Sequence, residues 1–201
     1  MEAITAHEAK LVGMPTPDFI VKLREKIGHD ALWLPGVTAV VIRDVPADAP
    51  IWAVPEVLLV RRADNGQWTP VTGIVDPGEE PDAAAVREVL EETGLSVQVE
   101  ALLGVGQVGP VEYPNGDVSS YMDTAMRLSV MKNDATPHHD EPIVGDDESV
   151  DVGWFSVAQL PPMQPRFRLV IADAVAQMKH PVGFRPRMGY RKRNGDKLRG
   201  D

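Results

Sequence analysis

An α/β fold, with a mixed β-sheet packed between helices, is what this sequence predicts, and three observations lead there. Gly36 opens a β-branched run over residues 37–42 (VTAVVI) that reads as a buried strand. Residues 81–93 read as one central helix, with Pro81 suited to its first position and Gly94 suited to the place just past its end. Strand-like stretches precede and follow that helix, and further helical patterns flank the set.

The elements follow in order. Residues 1–15 are expected to be a poorly ordered lead-in. Thr16-Pro17-Asp18 has the form of a helix start, with Thr16 as N-cap and Pro17 at the first helical position. Phe19, Ile20, Leu23 and Ile27 then recur at helical spacing, and Gly28 supplies a stop. After the 37–42 strand, residues 44–50 hold two prolines and two aspartates and read as a loop. Residues 56–61 (EVLLVR) form the next expected strand, and Asp64-Asn65-Gly66 a tight turn. Beyond the central helix, 97–108 and 119–131 read as strands joined by a loop over 110–117 (PVEYPNGD). The alternation of the second strand breaks around Asp123. Residues 133–149 are rich in acids and histidines and are expected to be an exposed loop. A short strand over 150–155 and an amphipathic helix over 165–179 complete the set. The expected division is a lead-in and helix over 1–35, one domain over 36–180, and a flexible basic tail over 181–201.

A chain of 201 residues has room for one domain with a sizeable core. No apolar run approaches the length that crosses a bilayer, and the first residues lack a basic stretch followed by an apolar one. A cytoplasmic location without membrane contact is therefore expected. The absence of cysteine excludes disulfides and thiolate metal ligands. The formal net charge of −10 hides an asymmetry, because residues 179–201 hold eight Lys or Arg against two Asp. The acidic body repels polyanions, so nucleic acid is not an expected partner. A phosphate compound would need a recruited positive charge, and a divalent metal is the simplest one. A homodimer stays open. The adjacent His138 and His139 match no metal-binding spacing.

Around the helical wheel, Glu88, Glu91 and Glu92 fall within an arc of about 100°. Val86, Val89, Leu90 and Thr93 lie opposite, where a core-facing stripe belongs. Like charges three and four residues apart cost roughly 0.2–0.5 kcal/mol each. Glu91 and Glu92 also sit in the last turn, where the helix dipole disfavours anions. A solvated acidic face is the plain alternative. Against it, the cluster lies at the wrong helix end, and no lysine stands four residues after any of the three. Hard oxygen ligands gathered on one face are what Mg²⁺ or Mn²⁺ requires.

The stretch GIVDPGEEPDAAAVREVLEETGL, residues 73–95, resembles the Nudix box: G, five residues, E, seven residues, R-E-U-x-E-E-x-G-U, with U a bulky aliphatic. Gly73, Glu79, Arg87, Glu88, Val89, Glu91, Glu92, Gly94 and Leu95 fill every fixed position. A chance match in a chain of this length is on the order of 10⁻⁷ from average residue frequencies. The surrounding strands fit the family's α/β/α sandwich over roughly residues 36–160. The sequence departs from many related boxes in carrying Val71-Thr72-Gly73 where Pro-Gly-Gly often stands, and Glu80 where serine or threonine would cap the helix better.

The resemblance implies a metal-dependent hydrolase of a nucleoside diphosphate linked to another group. Glu88, Glu91 and Glu92 would be the Mg²⁺ or Mn²⁺ ligands, helped by a carbonyl near Thr72 or Gly73. Arg87, counted with the catalytic set, would pair with Glu79 and brace the loop. The general base is not fixed by the box: Glu148 leads, with Glu112 and Glu88 as alternatives. Gly73, Glu79 and Gly94 are expected to shape the loop. Tyr113, Tyr121 and Trp68, and also Trp33, are candidates for stacking on a base or ribose. Pro110, fifteen positions after Leu95, matches a spacing found in ADP-ribose hydrolases of the family. An ADP-ribose-like substrate is the first reading, a (d)NTP pyrophosphohydrolase the second, and a nucleotide sensor that does not cut the third. The basic tail raises a further idea, a capped or triphosphorylated RNA substrate.

Overall fold

The computed structural model describes residues 16–46, 48–131 and 141–190. Their elements run α1 (Asp18–Ile27), β1 (Leu32–Arg43), β2 (Glu56–Arg62), β3 (Trp68–Thr69), β4 (Val71–Ile74), α2 (Pro81–Thr93), β5 (Val97–Glu112), β6 (Val118–Val130), β7 (Ser149–Ser156), α3 (Pro165–Lys179) and β8 (Arg187–Met188). Strand order along the sheet is β3-β2-β1-β6-β5-β8, with β4 also paired to β1 and β7 to β2. Parallel pairs (β1 with β6, β5 with β8) mix with antiparallel ones, which is the mixed sheet expected.

The apolar runs in β1 and β2 are continuous because both of their faces are buried. Val37, Ala39 and Val41 of β1, with Leu58 and Val60 of β2, face one core cluster that includes Ala84, Ala85 and Val89 of α2. The residues between them, Val40, Ile42, Val57 and Leu59, face the other, where Val170, Ile171 and Ala174 of α3 cover the sheet. A helix therefore lies on each face, and the period of two in the strands divides one hydrophobic run between two cores.

Several boundaries differ from the sequence reading. Pro17 rather than Thr16 is the N-cap of α1, while Gly28 ends it with φ of 59°. Strand β1 begins at Leu32, upstream of Gly36, because its parallel register with β6 starts at Leu32 opposite Ser119. Strand β5 runs on into the expected 110–117 loop as far as Glu112, with a register shift between Val108 and Val111. Leu90, expected in the core, is half exposed, and Glu92, expected on the acidic face, is buried at 4% exposure. The short strands β3, β4 and β8 have no local periodicity and were not expected; non-local pairing makes them. Of the expected exposed loop over 133–149, residues 133–140, His138 and His139 among them, lie outside the described residues. Its remainder is tied down: Ile143 and Gly145 donate backbone bonds to the carbonyls of Thr93 and Glu92, at 3.0 and 2.9 Å. These are carbonyls that the end of α2 would otherwise leave unsatisfied. Nor are residues 181–190 a free tail, since β8 pairs with β5 and Arg187 forms a two-point ion pair with Asp173 of α3. The rest of the basic tail, residues 191–201, lies outside the described residues.

Candidate active site

Local sequence places α2. Glu80 is its N-cap without a side-chain bond, Pro81 starts it, and Gly94 closes it in the left-handed conformation, with its N–H bonded to the Leu90 carbonyl. Alongside runs β4, where Gly73 pairs with Val37. Gly73 is needed for its missing side chain, because a Cβ there would overlap the carboxyl group of Glu88. The strand backbone and the α2 carboxylate thus meet in direct contact.

Arg87 organises this corner. Its Nε and Nη2 donate to the two carboxylate oxygens of Glu79 at 2.9 Å each, and Nη2 also reaches the Ile74 carbonyl at 3.1 Å. Its Nη1 donates to Glu88 at 2.9 Å and to Glu91 at 3.1 Å. Glu79 in turn accepts the Asp76 N–H at 3.0 Å, closing the loop before the helix. The bonds from Arg87 hold the Glu79 carboxyl below its ordinary range, and the bonds to Glu79 raise the guanidinium above its own.

Glu92, one turn after Glu88, is buried against the approach to β7, where Ser149 Oγ donates to it at 3.2 Å. Burial, then the charges of Glu148, Asp146 and Glu88, push its carboxyl up to about 9. Burial is also the main cause for Glu88, at about 7, which Arg87 partly offsets. The same holds for Glu148, pushed up to about 7 by burial and then by Asp146 and Glu88. Glu148 is brought here by β7, and its carbonyl accepts the Ala63 N–H from the end of β2. Four acids from α2 and the β7 approach thus share one poorly solvated region.

A cavity of about 340 Å³ opens onto this region. Glu88, Glu91, Asp146 and Glu148 line its acidic part, and Tyr113 and Tyr121 another wall. The two phenols are bonded to each other at 2.6 Å. Trp68 is not in the lining. It packs edge-on against Phe155, with ring centres 4.6 Å apart, among the residues beneath α3. A tryptophan in β3 next to an apolar strand packs into that core, away from the cavity where it was expected. Trp33 is 57% exposed and also off the cavity, as are Glu112 and Pro110. The sequence reading missed Arg62, Asp123 and Arg166, which all line the cavity. The break in alternation at Asp123 was the available signal, since a buried carboxylate in a strand needs a reason.

Mg²⁺ or Mn²⁺ fits the chemistry of these donors: hard carboxylate oxygens, poorly solvated and each pushed up in pKa by burial and by neighbouring acids. Their spacing is a different matter, because among the described residues no three acids stand as a ready-made metal cage. Like charges separate, and Glu88 and Glu91 turn to Arg87 as the nearest cation. Glu88, Glu91 and Glu92 accordingly do not converge on one point here.

The NUDIX domain family matches residues 35–176, which include the whole sheet except its first residues and β8. This chain belongs to the Nudix family. Among curated relatives, a "Putative 8-oxo-dGTP diphosphatase" of Bacillus subtilis (strain 168) is 50% identical over 52 residues, 26% of this chain and 35% of that protein. The "NAD-capped RNA hydrolase NudC" of Vibrio cholerae is 31% identical over 105 residues, 52% of this chain and 34% of that protein. The Nudix chain thus spans about a third of the length of these relatives. Among solved structures, a UDP-X diphosphatase superposes with a TM-score of 0.53 at 19% identity, over 87% of this chain and 75% of that one. That similarity shows the α/β fold. No described helix of this Nudix protein is long and apolar enough to cross a membrane.

Proposed function

We propose that this chain is a divalent-metal-dependent hydrolase of the diphosphate linkage in a nucleoside diphosphate derivative, ADP-ribose-like in character. The observation that carries the reading is the cluster of Glu88, Glu92 and Glu148, desolvated together beside a cavity whose other wall offers two tyrosines. Glu88, Glu91 and Glu92 would hold Mg²⁺ or Mn²⁺. A divalent ion bound there supplies charge neutralisation for phosphate oxygens and a more acidic attacking water. Glu148, lining the same cavity, takes the proton from that water as general base. Arg87 braces Glu79 and the box loop, and its bonds to Glu88 and Glu91 would give way to a divalent ion held by those carboxylates. Gly73 and Gly94 hold strand and helix at the spacing this needs. Tyr113 and Tyr121 take the base or ribose by stacking. The partner is then a small nucleotide rather than a nucleic acid, and cytoplasmic nucleotide pools are its natural source.

The crowded acids predict how metal and pH act on stability. Carboxylates whose pKa is raised by folding bind more protons in the folded chain than in the unfolded one. Their contribution to stability is therefore fully present below the ordinary carboxylate pKa and is lost as pH rises through about 7 for Glu88 and Glu148 and about 9 for Glu92. Melting in chelator should drop between about pH 6 and about pH 8.5, and Mg²⁺ should restore more stability at the higher pH. A Mg²⁺ effect equal at both pH values would mean that the ion binds elsewhere.

The reaction itself is tested with a substrate panel in Mg²⁺: ADP-ribose, a dinucleoside polyphosphate, NADH, UDP-glucose and several (d)NTPs. ADP-ribose or another diphosphate-linked compound should be cut fastest. The local identity to the Bacillus relative favours a second reading, a (d)NTP pyrophosphohydrolase, and preference for an oxidised or ordinary (d)NTP would select it. Tight nucleotide binding with no turnover would replace both with the sensor reading.

A further inference from the structure

Arg166 stands in the first turn of α3 and lines the cavity. It is three-quarters buried, with its side chain 23% exposed, yet its pairing is incomplete. Its Nε is buried without a hydrogen-bond partner among the described residues. The guanidinium lies over the Phe167 ring at 3.9 Å, and its one ion pair among the described residues, Nη1 to Asp123 Oδ2, is 3.8 Å long. A desolvated cation held this loosely is costly unless something else completes its bonds.

Asp123, by contrast, is firmly held. It is 4% exposed, Thr38 Oγ1 donates to its Oδ1 at 2.8 Å, and the Tyr190 hydroxyl donates to its Oδ2 at 2.7 Å. Tyr190 arrives on the segment after α3. That segment is fastened by β8, by the Gly189 N–H to the Val105 carbonyl at 2.7 Å, and by the Arg187–Asp173 pair. Two glycines in β5 make room for it. A Cβ on Gly104 would lie 2.7 Å from the Arg187 carbonyl oxygen, and one on Gly106 would lie 2.7 Å from the Tyr190 ring. The segment is thus built into the fold, and its tyrosine reaches the acid that faces Arg166.

We propose that Arg166 holds a phosphate oxygen of the substrate from the α3 side of the cavity, and that Tyr190 is a positioning residue that aims it through Asp123. The inference rests on the nucleoside diphosphate reading above. Its chemistry is that of a planar guanidinium with free donors, suited to a phosphate oxyanion. Such a donor also discriminates, because it favours ligands that bring negative charge to this wall, away from the acids Glu88, Glu91, Asp146 and Glu148 that line the same cavity. Tyr190 donates its hydroxyl proton to Asp123 Oδ2, the oxygen that Arg166 Nη1 also faces at 3.8 Å, and so holds that oxygen in place before the arginine.

The test measures binding, by calorimetry in Mg²⁺, of α,β-methylene-ADP, whose P–C–P link cannot be hydrolysed, against adenosine, which lacks phosphate. Arg166→Met should weaken the diphosphate analogue by about tenfold or more and leave adenosine unchanged, with Arg166→Lys in between. Tyr190→Phe keeps the ring and removes only the hydroxyl, so it keeps the test valid if Arg166→Met does not fold. It should weaken the analogue by about threefold and again spare adenosine. Equal loss for both ligands, or analogue affinity in Arg166→Lys and Arg166→Met within about twofold of wild type, overturns the assignment of Arg166. A Tyr190→Phe chain identical to wild type overturns the positioning role. If wild type binds the analogue but the variants do not differ, only this inference fails. If wild type binds neither ligand, the nucleoside diphosphate reading fails with it.

Discussion

Glu92→Gln should lower turnover by about 100-fold or more while the chain stays folded. Glutamine matches glutamate in shape, and Ser149 Oγ can still donate to its side-chain oxygen as it does to the carboxylate. Because burial and the neighbouring acids push the Glu92 carboxyl up to about 9, the metal-free chain already favours a neutral group there. The neutral amide therefore costs little stability without metal and removes one source of repulsion against Glu148 and Glu88. A divalent ion at the proposed site, in contrast, would lose a full ligand charge. The expected pattern is an unchanged or higher melting temperature in chelator, a smaller gain on adding Mg²⁺, and near-absent hydrolysis of the best substrate. Activity within about threefold of wild type would remove Glu92 from the proposed metal site.

Gly73→Ala should be nearly as damaging, for a steric reason. The added Cβ would overlap the Glu88 carboxyl group, so the carboxylate must leave its place or β4 must move off β1. The side-chain end yields more easily than the paired strand. The cost in stability is therefore modest, about 1–3 kcal/mol as for other overpacked sites. The displaced Glu88 also strains its bond to Arg87. A carboxylate moved by about 1 Å costs about 100-fold in rate where its geometry matters. Gly153→Ala is the control, because its Cβ would meet only the Phe155 ring at an ordinary 3.7 Å. Steady-state rates and thermal melts of the two variants check this. Equal activity in both would mean that the contact between Gly73 and Glu88 has no catalytic consequence.

Features set by neighbours along the chain are legible in the sequence itself. Helix α3 spans Pro165–Lys179 as expected, and α2 starts at Pro81 and ends before Gly94, because proline and left-handed glycine act within one turn. The strands over β2 and β6 and the family membership through residues 73–95 are legible for the same reason: they depend on spacing along the chain. The helical wheel also placed Val89 and Thr93 in the core. It failed for Leu90 and Glu92, since it gives relative angles and not how far the sheet and the 143–149 segment wrap around the helix. Leu90 lies just past that cover, and Glu92 lies beneath it against Ser149.

What the tertiary structure decided was which distant residues share a space. Glu148 meets Glu88 and Glu92 only because β7 pairs with β2 and brings its leading residues across the end of α2. Trp68 and Tyr121, alike as aromatic candidates, part company because one side of the sheet carries the α3 core and the strand ends carry the cavity. The basic segment after α3 read as a free tail from its charge alone. Gly104 and Gly106 in β5, some eighty residues earlier in the chain, leave the room that lets Arg187 dock and Tyr190 reach Asp123. Composition and period record what a residue does to its neighbours along the chain. Contacts between remote segments are recorded only in the complementary shapes that pairing and packing bring together.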